Sequence, residues 1–124
     1  MQNYNAKPKT EIKARCYRFA LDVIAFTDIF PQKRSAWVVA DQLIRAATSI
    51  GANLVEARAA SSRLEFKKFN EIALKSANET KYWLGLARDA KIAKEEEANR
   101  LLKEADEIAR MLASGVIKLK QVKF

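Results

Sequence analysis

Residues 35–60 read SAWVVADQLIRAATSIGANLVEARAA. Val39, Leu43, Ala46, Ile50, Leu54 and Ala57 recur at steps of three and four. At 100° per residue that spacing sets them on one face of an α-helix. Trp37, Ile44, Gly51 and Val55 form a second apolar face, and Gln42, Arg45, Ser49, Asn53 and Glu56 form a polar line beside the first. A helix that is apolar over most of its circumference needs burial on more than one side. This segment, helix 2, is therefore expected at the centre of a bundle, in a subunit contact, or in both. Ser35 is its expected N-cap.

Working outward, three further helices emerge. Helix 1 (10–30) carries Ile12, Cys16, Phe19, Ala20, Val23, Thr27 and Phe30 on one stripe, and Pro31 stops it. Helix 3 (62–90) opens on Ser62-Arg63-Leu64-Glu65, the pattern of a capping box in which Ser62 caps the Glu65 amide and Glu65 reaches back. Its expected seam is Phe66, Phe69, Ala73, Ser76, Thr80, Trp83 and Ala87. No Gly or Pro separates helix 3 from helix 4 (94–121). Charge supplies that boundary, since Arg88 and Lys91 suit a helix C-terminus and Glu95, Glu96 and Glu97 suit an N-terminus. Helix 4 presents Ala98, Leu101, Ala105, Ile108, Leu112, Val116 and Leu119. Residues 1–9 read as a polar tail. Four helices with short connections imply an all-α, antiparallel up-down-up-down four-helix bundle.

Composition narrows the function. The 124 residues suffice for one core. With no histidine and one cysteine, Cys/His zinc sites, intrachain disulfides and His-based catalysis are excluded. Cys16 reads as a small core hydrophobe. No cofactor, metal site or enzyme active site is expected. The opening residues lack the apolar stretch of a signal peptide and no segment approaches a membrane span, so the expected location is cytoplasmic, away from membrane.

Ser76, Thr80 and Glu79 of helix 3 face the problem posed by the polar line of helix 2: a buried polar atom without a partner costs about 1–3 kcal/mol. A structural network joining Gln42, Arg45, Ser49, Asn53, Glu56, Ser76 and Glu79 is the favoured reading. The competing one, a ligand or catalytic pocket on Glu56 and Glu79, lacks any supporting His, metal-ligand set or phosphate loop.

The run Gln42-Leu43-Ile44-Arg45-Ala46-Ala47-Thr48-Ser49-Ile50 with Asn53 and Glu56 resembles the signature of the four helix bundle protein family. That family includes proteins encoded in intervening sequences of bacterial large-subunit rRNA genes and the accessory variability determinant of diversity-generating retroelements. Phe30-Pro31, Glu65-Phe66, Ile72-Ala73, Ser76, Glu79 and Leu86-Ala87-Arg88-Asp89 also match. Ala57 departs from the usual Gly, so helix 2 is expected to run past the point where relatives turn. The resemblance implies a bundle that assembles into a ring-like homopentamer. It also implies, from the retroelement members, a basic surface for RNA or DNA and a reverse transcriptase partner. The second apolar face, with Trp37, Ile44 and Val55, agrees with a homo-oligomer interface.

The net charge is +8, with 23 Lys and Arg against 15 Asp and Glu. Arg63, Lys67, Lys81 and Arg88 fall in one arc of helix 3 that holds no acidic residue, and are placed opposite its core seam as the expected nucleic-acid-binding residues. Further cations lie near the chain ends: Lys7, Lys9, Lys13, Arg15 and Arg18, then Lys118, Lys120 and Lys123. These two groups are expected at opposite poles. No motif for base readout is present, so the expected function is a non-enzymatic accessory protein holding RNA or DNA without sequence specificity. The alternative is an assembly module whose partners are only proteins.

Overall fold

The computed structural model describes residues 8–121, with side chains from residue 12. Lys7, Lys9 (its side chain), Lys123 and most of the expected tail lie outside the described residues. Four helices make up the described chain: α1 (Pro8–Asp28), α2 (Arg34–Arg58), α3 (Arg63–Asp89) and α4 (Glu95–Lys120). No helix of the described residues is long and apolar enough to cross a membrane.

The core follows the sequence periodicity closely on α2 and α4. All six residues of the first α2 face are buried, as are Ala98, Leu101, Ala105, Ile108, Leu112 and Val116 of α4. On α3 the buried line is Ala73, Ser76, Ala77, Thr80, Leu84 and Ala87. It keeps Ala73, Ser76, Thr80 and Ala87 of the expected seam and departs from it at the aromatics: Phe66 is exposed and Trp83 only half-buried, while Ala77 and Leu84 take the interior. Large aromatics cannot enter where alanines let helices approach closely, so they move to the flank.

Local chemistry sets the helix ends. The α2 N-cap is Lys33, not Ser35, which lies within the first turn; a Lys33 N–H to Pro31 carbonyl bond (3.0 Å) closes the preceding turn. α2 continues through buried Ala57 and stops at Arg58. Ser62 caps α3, its Oγ accepting from the Glu65 amide at 3.1 Å. The Glu65 carboxylate reaches back one residue further than expected, accepting from the Ser61 amide at 2.8 Å.

The α3–α4 turn, which lacks Gly and Pro, is a complete Schellman motif. Ile92 donates to the Ala87 carbonyl (2.9 Å) and Lys91 to that of Arg88 (3.1 Å), with Lys91 in the left-handed region at φ 59°. Ile92, 7% exposed, closes over the core. Glu95, Glu96 and Glu97 then occupy the first turn of α4, where the helix dipole favours them.

Neighbouring helices run antiparallel. Along α3 and α4 the pairs Arg88–Asn99, Lys81–Asp106 and Glu71–Lys120 advance in opposite directions. Arg15 ties α1 to α4 through Glu104 (3.0 and 2.6 Å) and Glu107 (2.9 Å), and these carboxylates hold its pKa above the ordinary value. It follows that the start of α1 and the end of α4 share one pole. The expectation of opposite poles is corrected, because a chain that crosses the bundle four times finishes at the end where it began. Arg15 is also removed from the expected basic cluster by its two carboxylates.

Two outcomes test these details. Lys91→Gly relieves a left-handed side chain that costs about 1 kcal/mol, so denaturant unfolding should show a gain of several tenths of a kcal/mol; a loss would contradict the turn geometry. Burial pushes the Cys16 thiol from 9.0 up to about 11. The unfolded chain then releases its proton first as pH rises, so this contribution to stability falls between pH 9 and 11. Ellman's reagent should react with Cys16 only after unfolding.

Candidate nucleic-acid interface

Part of the expected polar network forms. Ser76 Oγ of α3 donates to Ser49 Oγ of α2 at 2.9 Å, and Asn53 Nδ2 donates to both Ser49 Oγ and the Ser49 carbonyl at 2.9 Å. Three residues thus set the α2–α3 register. Arg45 and Glu56 are exposed and stand outside this network, as does half-buried Gln42. Glu79 is exposed too, accepting from Trp83 Nε1 at 3.4 Å. Buried Thr80 satisfies its hydroxyl within its own helix, on the Ser76 carbonyl. The network is smaller than the polar line because residues only one turn apart diverge once a neighbouring helix covers half of the face.

The α3 cations do not form one open stripe. Lys81 and Arg88 flank α4 instead of standing opposite the core. Lys81 Nζ bonds Asp106 Oδ1 of α4 at 3.1 Å, and the same carboxylate accepts from Arg110 Nε at 2.8 Å. Arg110 and then Lys81 hold the Asp106 carboxyl below the usual range. Arg88 pairs with Asp89 (2.9 Å) and reaches Asn99 (2.8 Å). The arc without acidic residues was a property of one helix; α4 supplies the missing anion. Lys67, half-buried, makes no ion pair among the described residues. Arg63 and Lys67 belong to the first two turns of α3, roughly 21 to 38 Å along the helix from Lys81 and Arg88 at ~1.5 Å per residue.

That half of α3 lies at the pole shared by the start of α1 and the ends of α2 and α4. An open cavity of about 750 Å³ occupies this pole, lined by residues of all four helices, among them Lys13, Arg58, Phe66, Asn70 and Lys118. No signal along any single helix could have found it, since its walls come from four separate segments.

The second apolar face of α2 meets α1. A Cβ built on Gly51 would stand 3.6 Å from Cys16 Cβ, so α1 crosses closely there. Ile44 packs half-buried against the core, whereas Trp37 (60%) and Val55 (54%) remain exposed. Tyr17 and Leu21 of α1 are exposed and line, with Gly51 and Val55, an open groove between α1 and α2.

A family model described as 23S rRNA-intervening sequence protein matches residues 8–114. Among solved structures, the chain is similar to a protein of unknown function from the S23 ribosomal protein family of Bacteroides thetaiotaomicron, determined at 1.70 Å. The two are 33% identical, with 85% of this chain and 97% of that one covered at a TM-score of 0.79. No curated protein matches the chain.

If Ser49, Asn53 and Ser76 hold the α2–α3 register, Ser76→Ala should cost about 1 kcal/mol in thermal or denaturant unfolding. Glu56→Ala, on an exposed site outside the network, should stay within ~0.5 kcal/mol. Equal effects would remove the distinction between network and surface.

Proposed function

The chain belongs to the family of 23S rRNA-intervening sequence proteins, and on that premise we propose that it is a non-enzymatic, oligomeric accessory protein that holds RNA or DNA electrostatically, without reading sequence. The observation that carries this reading is an excess of eight positive charges combined with their placement. Lys13, Arg58, Arg63 and Lys67 belong to helix ends that meet at one pole, while Lys81 and Arg88 lie further along α3, each paired with an aspartate. Phosphates are the ligand such a surface suits, because each neutralised phosphate releases condensed counterions. A polymerase working on the held strand, such as a reverse transcriptase, is the partner class that would use it.

Topology strengthens the case. Each pole of an up-down-up-down bundle carries two helix N-termini and two C-termini. Their backbone partial charges, roughly half an elementary charge each, cancel in pairs. Side-chain cations at the pole therefore act at nearly full strength.

Oligomerisation rests on the exposed apolar residues of α1 and α2. Trp37, Val38, Val55, Tyr17 and Leu21 are each more than half exposed, and exposed apolar patches mark interaction sites. A second copy of the chain is the proposed cover.

Fluorescence anisotropy with a labelled RNA tests the first part. Binding should be measurable at ~50 mM salt and weaken steeply as salt rises. Lys67→Glu combined with Lys81→Glu should abolish most of it, and Asp106→Asn, which releases Lys81, should tighten it and add about one to the salt slope. Absence of binding, or indifference to these changes, would overturn the reading. Solution mass tests the second part: a particle of 14.0 kDa would refute oligomerisation, and Trp37→Ser should dissociate the assembly. An intact oligomer carrying no nucleic acid would leave an assembly module whose partners are only proteins.

A further inference from the structure

We infer that the cavity at the pole shared by the four helices is a binding pocket for one unpaired nucleotide of a single strand, its base between apolar side chains and its phosphates on Lys13, Arg58 and Lys118. This rests on the nucleic-acid reading above and deepens it, from a charged surface to a particular site and a preference for single strands.

Three observations support the assignment. The cavity measures about 750 Å³ and opens to solvent at the pole, ample for a base and its sugar. Phe66 and Met111 stand among its walls, and Phe66 is 39% exposed, so an aromatic side chain is within reach of a ligand. An aromatic side chain flanked by cations is the usual means of holding unpaired bases.

The charge at the rim is one-sided. Lys13, Arg58 and Lys118 are exposed, and none of them forms an ion pair among the described residues. No carboxylate lines the cavity among those residues. The contrast with Lys81 and Arg88, each partnered by an Asp, is direct. Three cations at one mouth repel one another unless an anion lies between them.

Polar groups inside the cavity fit a base edge as well. Asn70 uses its Nδ2 on the Phe66 carbonyl at 2.8 Å. Its Oδ1 is thereby oriented as an acceptor. Ser114 is exposed in the lining and can donate or accept. One acceptor and one hydroxyl can engage any base edge, which suits binding without sequence preference. A base-paired duplex offers no free base to such a cavity, since its bases face one another inside the helix.

The test uses the full chain with two labelled probes of equal length, a single-stranded oligouridine and a blunt RNA duplex, followed by anisotropy over a range of salt. The single strand should bind at least about tenfold more tightly than the duplex. Phe66→Ala should lower single-strand affinity about tenfold with the salt slope unchanged, as expected for lost stacking. Arg58→Gln and Lys118→Gln should each reduce the slope by about one. Far-ultraviolet circular dichroism identifies any variant that fails to fold, and Phe66→Leu, which keeps the apolar wall but not the π-face, then replaces Phe66→Ala and should show the same loss.

Binding that persists but treats duplex and single strand alike, or ignores Phe66, would overturn the pocket while leaving the electrostatic holder standing. Absence of all binding at ~50 mM salt would remove both. Laurate serves as an anion with an apolar body and no base: if it fills the cavity while oligouridine binding is unaffected by Phe66→Ala, the pocket belongs to acyl anions and the proposal fails.

Discussion

Everything in this bundle depends on burying α2. Its first face gives the core Leu43 and Ile50, both wholly inaccessible, and its second face must take α1 at Gly51. A single helix therefore organises two contacts. The α3 side is lined by small residues, with Ala73, Ala77 and Ala87 fully buried, which lets the helices approach closely and excludes bulky aromatics. The α1 side is more open: α1 is held there by Cys16, Phe19 and Val23 inside and by Arg15 on Glu104 and Glu107 outside.

Directional bonds then choose among the registers that close packing would permit. Hydrophobic burial is non-directional, and neighbouring registers of an Ala-rich interface bury similar areas. The Ser76–Ser49 hydrogen bond, backed by Asn53, distinguishes them. At the far end of α3 the Schellman turn performs a similar task for α4. Ile92 is driven into the core, and the cost of a left-handed Lys91 is offset by two satisfied carbonyls.

The same topology that cancels the backbone dipoles at each pole decides which cations can act on a ligand. α4 carries Asp106 alongside α3, so the middle of that flank is partly neutral, while the pole where the chain first enters the bundle keeps its positive charge. The match to the S23 structure extends over nearly the whole bundle, so the arrangement of helix ends is carried by the fold and not by a local motif.

How much was legible in the sequence follows from the range of the interactions involved. The four helices, their order, the buried faces of α2 and α4, the Ser62 cap and the charged start of α4 are determined by spacings of three or four residues, and these are visible along a single chain. The exposure of Phe66 on α3 and the capture of Lys81 by Asp106 depend on what lies across a helix–helix contact. Gln42, Arg45, Glu56 and Glu79 share a helical face with network members, yet the neighbouring helix decides which of them it reaches. The gathering of Lys13, Arg58 and Lys118 around one cavity belongs to tertiary structure alone, because residues 105 positions apart become neighbours only when four crossings return the chain to its starting pole.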